Sequence, residues 1–246
     1  MRKLKQLPNI EEIIEGDILA EIKAYRAEKE NKMTKTILII GMGQGLSLAI
    51  AEKFGQEGYK IGMISRSQDK LLQLKNQLAE QNIVSEFATA DVANTPEMIA
   101  AIQSIKSKLG SISILQYNAV DYRMKPLMDE TVDDLTNGFK ISVANAFAAT
   151  KELLADLKEN KGSILLTGGG SANYPNPDMA SISMGKAGLR NLALQLHQVL
   201  KPENIFVGTI TISGWISPES QTHTPTMLAE KFWDLNQARN QVEIIY

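Results

Sequence analysis

Short unbroken apolar runs alternate along the chain with longer stretches in which apolar residues recur every three or four positions. The runs at 36–40, 60–65, 84–90, 112–117, 163–167, 205–212 and 242–246 predict seven strands. Between them, 46–57, 68–81, 96–109, about 132–159, a stretch ending at 200 and 225–238 carry the helical period. A run such as Thr36-Ile-Leu-Ile-Ile40 has no polar face, which marks a strand covered on both sides. Strand and helix in strict alternation predict an α/β domain with a doubly wound parallel sheet of about seven strands.

Residues 1–32 follow another pattern. Ile10, Ile14, Ile18, Ile22 and Tyr25 recur at three- and four-residue steps among seven acids and seven bases. This predicts one amphipathic helix entered after Pro8-Asn9, an N-terminal extension that docks on its own domain or on another subunit. Met33 opens a segment that would itself make a start, so the extension is an accessory arm or a consequence of start-site choice. Residues 33–246 then form one domain, because no internal repeat or Pro/Gly linker divides them.

Composition narrows the function classes. Hydrophobic residues at 43% and charged residues at 22% suit a domain with a buried core. The net charge of −2 gives no global field for nucleic acid or anionic membrane. With no cysteine, thiolate nucleophiles, disulfides and cysteine metal sites are excluded. His197 and His223 lack ligand-like spacing, so no metal is expected; His197 reads as a packing residue and His223 as an exposed loop residue. No apolar run is long enough to span a bilayer, and no apolar core follows the basic MRKLKQLPN. A cytoplasmic protein is the expectation.

The strongest chemical signal is Gly41-Met-Gly43-Gln-Gly45-Leu46-Ser47, three glycines where the first strand turns into the first helix. A pyrophosphate must approach backbone N–H groups closely there, and a helix N-terminus adds partial positive charge. The first strand–turn–helix unit of an alternating chain is the context this motif needs, and it predicts a Rossmann-type dinucleotide site. The second strand ends in Ser65-Arg66-Ser67, where an NAD-binding domain usually offers a carboxylate to the ribose. Arg66 offers a forked cation for a 2′-phosphate, and the serines add hydroxyl donors, so the expected cofactor is NADP.

From Met33 onward the chain resembles the short-chain dehydrogenase/reductase family. Gly41, Gly45 and Ser47 fall on that family's Gly-x-x-x-Gly-x-Gly. Asp91-Val92 matches its Asp-Val pair at adenine, and Asn118-Ala119 the middle of its Asn-Asn-Ala-Gly. Lys186 falls on the lysine of Tyr-x-x-x-Lys, and Ser213-Gly214-Trp215-Ile216 on the Pro-Gly-x-Ile that caps the nicotinamide. The resemblance implies cofactor contacts at Gly41, Gly43, Gly45, Leu46, Ser65, Arg66, Ser67, Asp91, Val92, Asn118, Ala119, Lys186 and Ile216. It also implies a homo-dimer or tetramer paired through the helices at 132–159 and 178–200, for which Leu189, Leu192, Leu196 and Leu200 supply an apolar stripe.

The chain departs from the family's Asn–Ser–Tyr–Lys tetrad. Ser142 stands at the asparagine, Gly169 at the serine and Ile182 at the tyrosine; Lys186 alone is retained. Isoleucine can neither donate nor accept a proton. Candidate substitutes are Ser171 and Tyr174 in the loop after the fifth strand. Tyr117, Asp121 and Tyr122 follow the fourth, and backbone N–H groups of Gly168–Gly170 are open to a substrate oxygen. Two readings follow: an NADP-dependent oxidoreductase with a non-standard active site acting on a small molecule, or a non-catalytic NADP-binding sensor or interaction protein.

Overall fold

The computed structural model describes residues 18–23 and 35–246. Residues 18–23 are helical with Ile18, Leu19 and Ile22 exposed; the rest of the helix expected over 1–32 lies outside the described residues. Seven strands form one sheet: β1 Thr36–Ile40, β2 Lys60–Ser65, β3 Ser85–Thr89, β4 Ile112–Tyr117, β5 Ser163–Thr167, β6 Phe206–Thr211 and β7 Glu243–Ile245. Their spatial order is β3-β2-β1-β4-β5-β6-β7, and every pair is parallel. The chain winds outward from β1 to β3, then returns to lay β4 on the other side of β1. The order reverses there, and the crevice outside the strand ends at such a point is where ligands bind in open α/β sheets.

The helices are α1 Leu46–Gln56, α2 Gln68–Glu80, α3 Thr95–Leu109, α4 Val132–Phe139, α5 Asn145–Glu152, α6 Leu154–Glu159, α7 Ala180–Leu200 and α8 Pro225–Ala238. Successive strand residues point to opposite faces, so β1 feeds two cores. Ile37 and Ile39 pack with Ile50 and Phe54 of α1, Leu71 and Leu74 of α2 and Phe232 of α8. Leu38 and Ile40 pack with Ile102 and Ile105 of α3, Ala146 and Ala149 of α5 and Leu189 and Ala193 of α7.

Two expectations change here. The helix expected over 132–159 is interrupted by a π-helical turn at Lys140–Ala144 and a break at Leu153. The Asn145 N–H reaches back five residues to the Lys140 carbonyl, and the buried Tyr117 hydroxyl donates to the Ile141 carbonyl at 2.5 Å. The Asn145 side chain, also buried, is fixed between Thr95 and the Val92 carbonyl. Tertiary partners thus set the extra residue in the turn, as is common where a π-bulge borders a site. The leucine stripe of α7 is the second correction. Leu189, Leu196 and Leu200 are buried in the chain's own core and Leu192 packs against it, so the stripe is not an open seam. The outward apolar residues of these helices are Val132, Phe139, Phe147, Met184 and Val199.

Among the described residues no helix is long and apolar enough to cross a membrane, and no group of three or more histidines or carboxylates is placed to hold a metal ion.

Candidate functional site

The site is built on the β1–α1 turn. Gly41 adopts φ +88°, and a Cβ there would sit 2.5 Å from the Ala119 nitrogen, so only glycine lets the loop after β4 come this close. Its N–H and that of Met42 both donate to the Ile64 carbonyl at 3.0 Å, tying the turn to the end of β2. The Ser47 hydroxyl donates to the Gly41 carbonyl at 3.0 Å, and the Asn118 amide donates to Ser47 Oγ at 2.7 Å. Ser47, at the family's third glycine, therefore closes the turn internally. At Gly43 and Gly45 a Cβ would meet nothing within 4 Å; the space over the turn is open.

Helix α1 begins at that open space without a side-chain cap and with no acid in its first turn. By contrast α2, α3, α4 and α8 are closed by Ser67, Asn94, Thr131 and Thr224. The first N–H groups of a helix need an acceptor, and here the arrangement leaves them for a ligand.

A cavity of about 730 Å³ runs from the turn across the end of the sheet. Of the residues expected from the sequence, Gly41, Gly43, Gly45, Leu46, Asn118, Ser171, Tyr174, Lys186 and Ile216 line it together. Ser65, Arg66, Ser67, Asp91, Val92 and Ala119 lie outside its lining, at the ends of β2, β3 and β4. Arg66, two residues beyond Ile64, is exposed and makes no ion pair among the described residues. Ser67 Oγ accepts from the Lys70 N–H as the cap of α2, and Asp91 accepts from the Ala93 N–H at 2.9 Å. Val92 is buried, its carbonyl taken by Asn145.

On the far wall Lys186, half-buried on α7, donates to the Thr167 carbonyl at 2.7 Å. Burial pushes its ammonium down to about 8. Its aliphatic stem lies across Gly169, where a Cβ would meet Cγ, Cδ and Cε at 3.3–3.4 Å. Ile182 stands one helical turn before Lys186, buried to 7% exposure and lining the same cavity. Ser142 is buried behind it, its hydroxyl accepting from the Asp121 N–H at 3.3 Å.

Two of the substitute side chains, Tyr117 and Asp121, do not reach the cavity, and of the Gly168–Gly170 run, which does line it, one N–H is already spent. Tyr117 is fully buried with its hydroxyl spent on Ile141, and burial holds its proton far above the ordinary tyrosine range. Asp121 faces away into an ion-pair network. The Gly170 N–H donates to the Ile212 carbonyl at 2.8 Å, so it has no proton for a substrate oxygen. The glycine run answers to packing: a Cβ at Gly168 would meet the Ile210 carbonyl at 2.7 Å, and one at Gly170 the Ser213 hydroxyl at 2.9 Å. Ser171, Tyr174 and Tyr122 do line the cavity.

The Asp121 network holds the loop that carries Val120 and Tyr122. Arg123 donates to Asp121 Oδ2 through Nε at 2.8 Å and Nη2 at 2.6 Å, and reaches Asp134 Oδ1 at 2.8 Å and Glu130 at 3.2 Å. Ser181, the residue before Ile182, donates to the same Asp121 oxygen at 2.7 Å. The hydrogen bonds that Arg123 donates to the Asp121 carboxylate hold the guanidinium above its ordinary value. The Glu130 side chain is fully buried and its oxygens accept no hydrogen bond, so the Arg123 ion pair is its compensation.

After β6, Ser213–Ile216, Pro218 and Pro225 form the remaining rim, with Trp215 70% exposed. His223 is half-buried, not exposed as the sequence suggested: its ring packs on Gly214 and edge-on to Tyr246 at 5.1 Å. It does not line the cavity. Gln44, Thr167 and Met179 line it without having been singled out from the sequence. Thr167 was the findable one, as the last residue of β5 on the sheet edge where ligands bind.

The sequence profile of the short chain dehydrogenase family matches residues 35–227. The chain is 28% identical over 177 residues to the uncharacterized oxidoreductase YvrD of Bacillus subtilis, covering 72% of this chain and 66% of that protein. It is 27% identical over 184 residues to the 3-oxoacyl-[acyl-carrier-protein] reductase FabG of Staphylococcus aureus, covering 73% and 74%. A short-chain dehydrogenase/reductase from Serratia marcescens superposes with a TM-score of 0.77 at 19% identity, over 86% of this chain and 96% of that one. A metagenomic short-chain oxidoreductase in complex with NADP gives 0.76 at 18%, over the same shares. A family profile spanning most of the chain, on a parallel sheet of this order and with the glycine turn at its switch point, leaves one assignment: the chain belongs to the short-chain dehydrogenase family.

Proposed function

We propose that the protein is an NADP-dependent oxidoreductase whose acid–base residues depart from its family's pattern. The observation that carries this reading is the uncapped N-terminus of α1, opening behind Gly43 and Gly45 into a cavity that continues to Lys186. Those backbone N–H groups suit a pyrophosphate. Lys186, charged at neutral pH, suits the ribose hydroxyls. Arg66, exposed just past the end of β2, offers a fork suited to bidentate contact with a 2′-phosphate. A nicotinamide held there supplies or accepts hydride; the chain's own part is to orient it and to exclude water.

The reading is tested by titrating NADPH and NADH against the fluorescence of Trp215, with Trp233, packed on Phe54 and Tyr59, as the internal reference. NADPH is expected to bind more tightly. Arg66→Ala is expected to weaken NADPH by about 10–100-fold, the worth of one or two hydrogen bonds to a charged group, and to leave NADH unchanged. Equal loss for both cofactors would remove Arg66 from the 2′-phosphate. Failure to bind either would end the reading.

The second reading, a non-catalytic NADP-binding protein, is favoured by Ile182 and Gly169, which put an apolar side chain and no side chain where the family's proton donor and carbonyl-positioning hydroxyl would be. NADPH binding with no hydride acceptor turned over decides for it.

We also propose a homo-oligomer, paired through the outward apolar residues Val132, Phe139 and Phe147 of α4 and α5. Sedimentation velocity should show a dimer or tetramer, and Phe147→Glu should shift it toward monomer.

A further inference from the structure

Beyond the glycine turn, the cavity wall includes Val120, Tyr122, Tyr174, Met179, Ile182 and Trp215. None of these carries a formal charge. Among the described residues that line the cavity, Lys186 is the only charged side chain, and its ammonium already donates to the Thr167 carbonyl. Tyr122, Tyr174 and Trp215 are 59%, 81% and 70% exposed, and no aromatic ring among the described residues packs against them. Three aromatic faces are therefore presented to one opening without partners.

We propose that this wall takes a neutral, planar, conjugated acceptor of the quinone class; the inference rests on the NADP-dependent oxidoreductase reading above. A carboxylate or phosphate substrate would enter a wall with no second cation to pair it, and its desolvation would go uncompensated. A planar ring system stacks on Tyr122, Tyr174 and Trp215. The chemistry agrees with the binding. Reduction of an isolated ketone concentrates charge on one alkoxide oxygen and needs a proton donor where Ile182 stands. A quinone needs none at that moment. It gains hydride, two electrons and one hydrogen nucleus, as an O–H bond at one carbonyl while the C4–H bond of the dihydronicotinamide breaks. The ring becomes aromatic, the second oxygen is left as a delocalised phenolate, and that oxygen takes a proton from water at the open mouth. The products are one hydroquinone and one NADP⁺.

The test uses the full chain with 1,4-naphthoquinone, the saturated bicyclic ketone 2-decalone and a carboxylated naphthoquinone. The absence of cysteine removes thiol arylation as a competing reaction. Calorimetry first establishes NADPH binding, then measures naphthoquinone binding to the NADP⁺-loaded protein; loss of NADPH absorbance measures turnover. Naphthoquinone is expected to exceed decalone in kcat/KM by at least about 100-fold, the lower end of what a positioned general acid contributes and the ketone lacks. The carboxylated quinone is expected to bind more weakly than the parent. Trp215→Ala and Tyr174→Ala, both at exposed positions, should each weaken naphthoquinone binding to protein held at saturating NADP⁺ by about 3–10-fold, the size of one stacking contact. NADPH binding with decalone turned over as fast as naphthoquinone overturns this inference and leaves the proposed function standing. NADPH binding with no acceptor turned over overturns both the inference and the catalytic reading. Without NADPH binding, the proposed function fails and this inference falls with it.

Discussion

Arg123→Leu is expected to destabilise the protein by about 3 kcal/mol, the lower end for removing one partner of a buried ion pair. The lower end applies because the Arg123 side chain is itself 30% exposed. Leucine keeps much of the stem's packing, so the loss isolates the charge. It leaves Glu130 fully buried with no compensating partner, and takes from Asp121 two of its donors. Arg123→Lys should recover only part, since one ammonium cannot span Asp121, Glu130 and Asp134 together. The pH dependence gives a second readout. An uncompensated buried carboxylate has its folded pKa raised above its unfolded value. In the variant that destabilisation grows as pH rises above the unfolded carboxylate range, so the gap between variant and parent should be larger at pH 7.5 than at pH 4.5. Urea unfolding at the two pH values measures it. A gap under about 1 kcal/mol at both would mean that the network is no more than a set of surface pairs.

That network was not legible in the sequence, and the reason is physical. Asp121, Arg123, Glu130, Asp134 and Ser181 span sixty positions, and each alone reads as a solvated polar residue. Only the fold brings the loop after β4 against the start of α7. The strands were a different case. For β1, β2, β4 and β5 the apolar run itself sets the edges, because a parallel sheet covered on both faces needs unbroken hydrophobicity and ends where a glycine or a turn begins. The same coverage explains why Tyr117 failed as a candidate acid: all six positions of β4 are buried, so a tyrosine there points into the core. The π-helical turn at Lys140–Ala144 was hidden because a one-residue insertion barely disturbs a three-to-four-residue period, and what holds it, Tyr117 and Asn145, acts from other elements. Glycine was legible as a turn at Gly41 and misleading at Gly170. In both places it permits close approach of the chain's own backbone, Ala119 at Gly41 and Ile212 with Ser213 at Gly170, but only at the first does the turn go on to open space, over Gly43 and Gly45.

The double variant Gly169→Ser, Ile182→Tyr is expected to raise turnover of an isolated ketone such as 2-decalone by about 10²–10⁴-fold, the contribution of a positioned general acid. The backbone allows both changes. Gly169 is extended at φ −165°, and its new Cβ meets only the flexible stem of Lys186 at 3.3–3.4 Å. Position 182 lines the cavity, so a tyrosine ring has room to extend into it. Residues 182 and 186 lie one turn apart on the same face of α7, which sets a phenol beside the ammonium and favours its ionised form. Ile182→Tyr alone should give most of the gain, since it restores the proton donor, and Gly169→Ser alone little. Adding Lys186→Met should abolish the gain. Naphthoquinone, which asks for no proton in the hydride step, should change by less than about 10-fold in the double variant. The contrast between the two acceptors is the discriminating measurement, read as kcat/KM at saturating NADPH with cofactor affinity checked by calorimetry. If NADPH binds as before and decalone turnover does not move, the limit on ketone reduction lies in the orientation of the acceptor and not in the missing acid. The apolar wall would then need reshaping before any proton donor could matter.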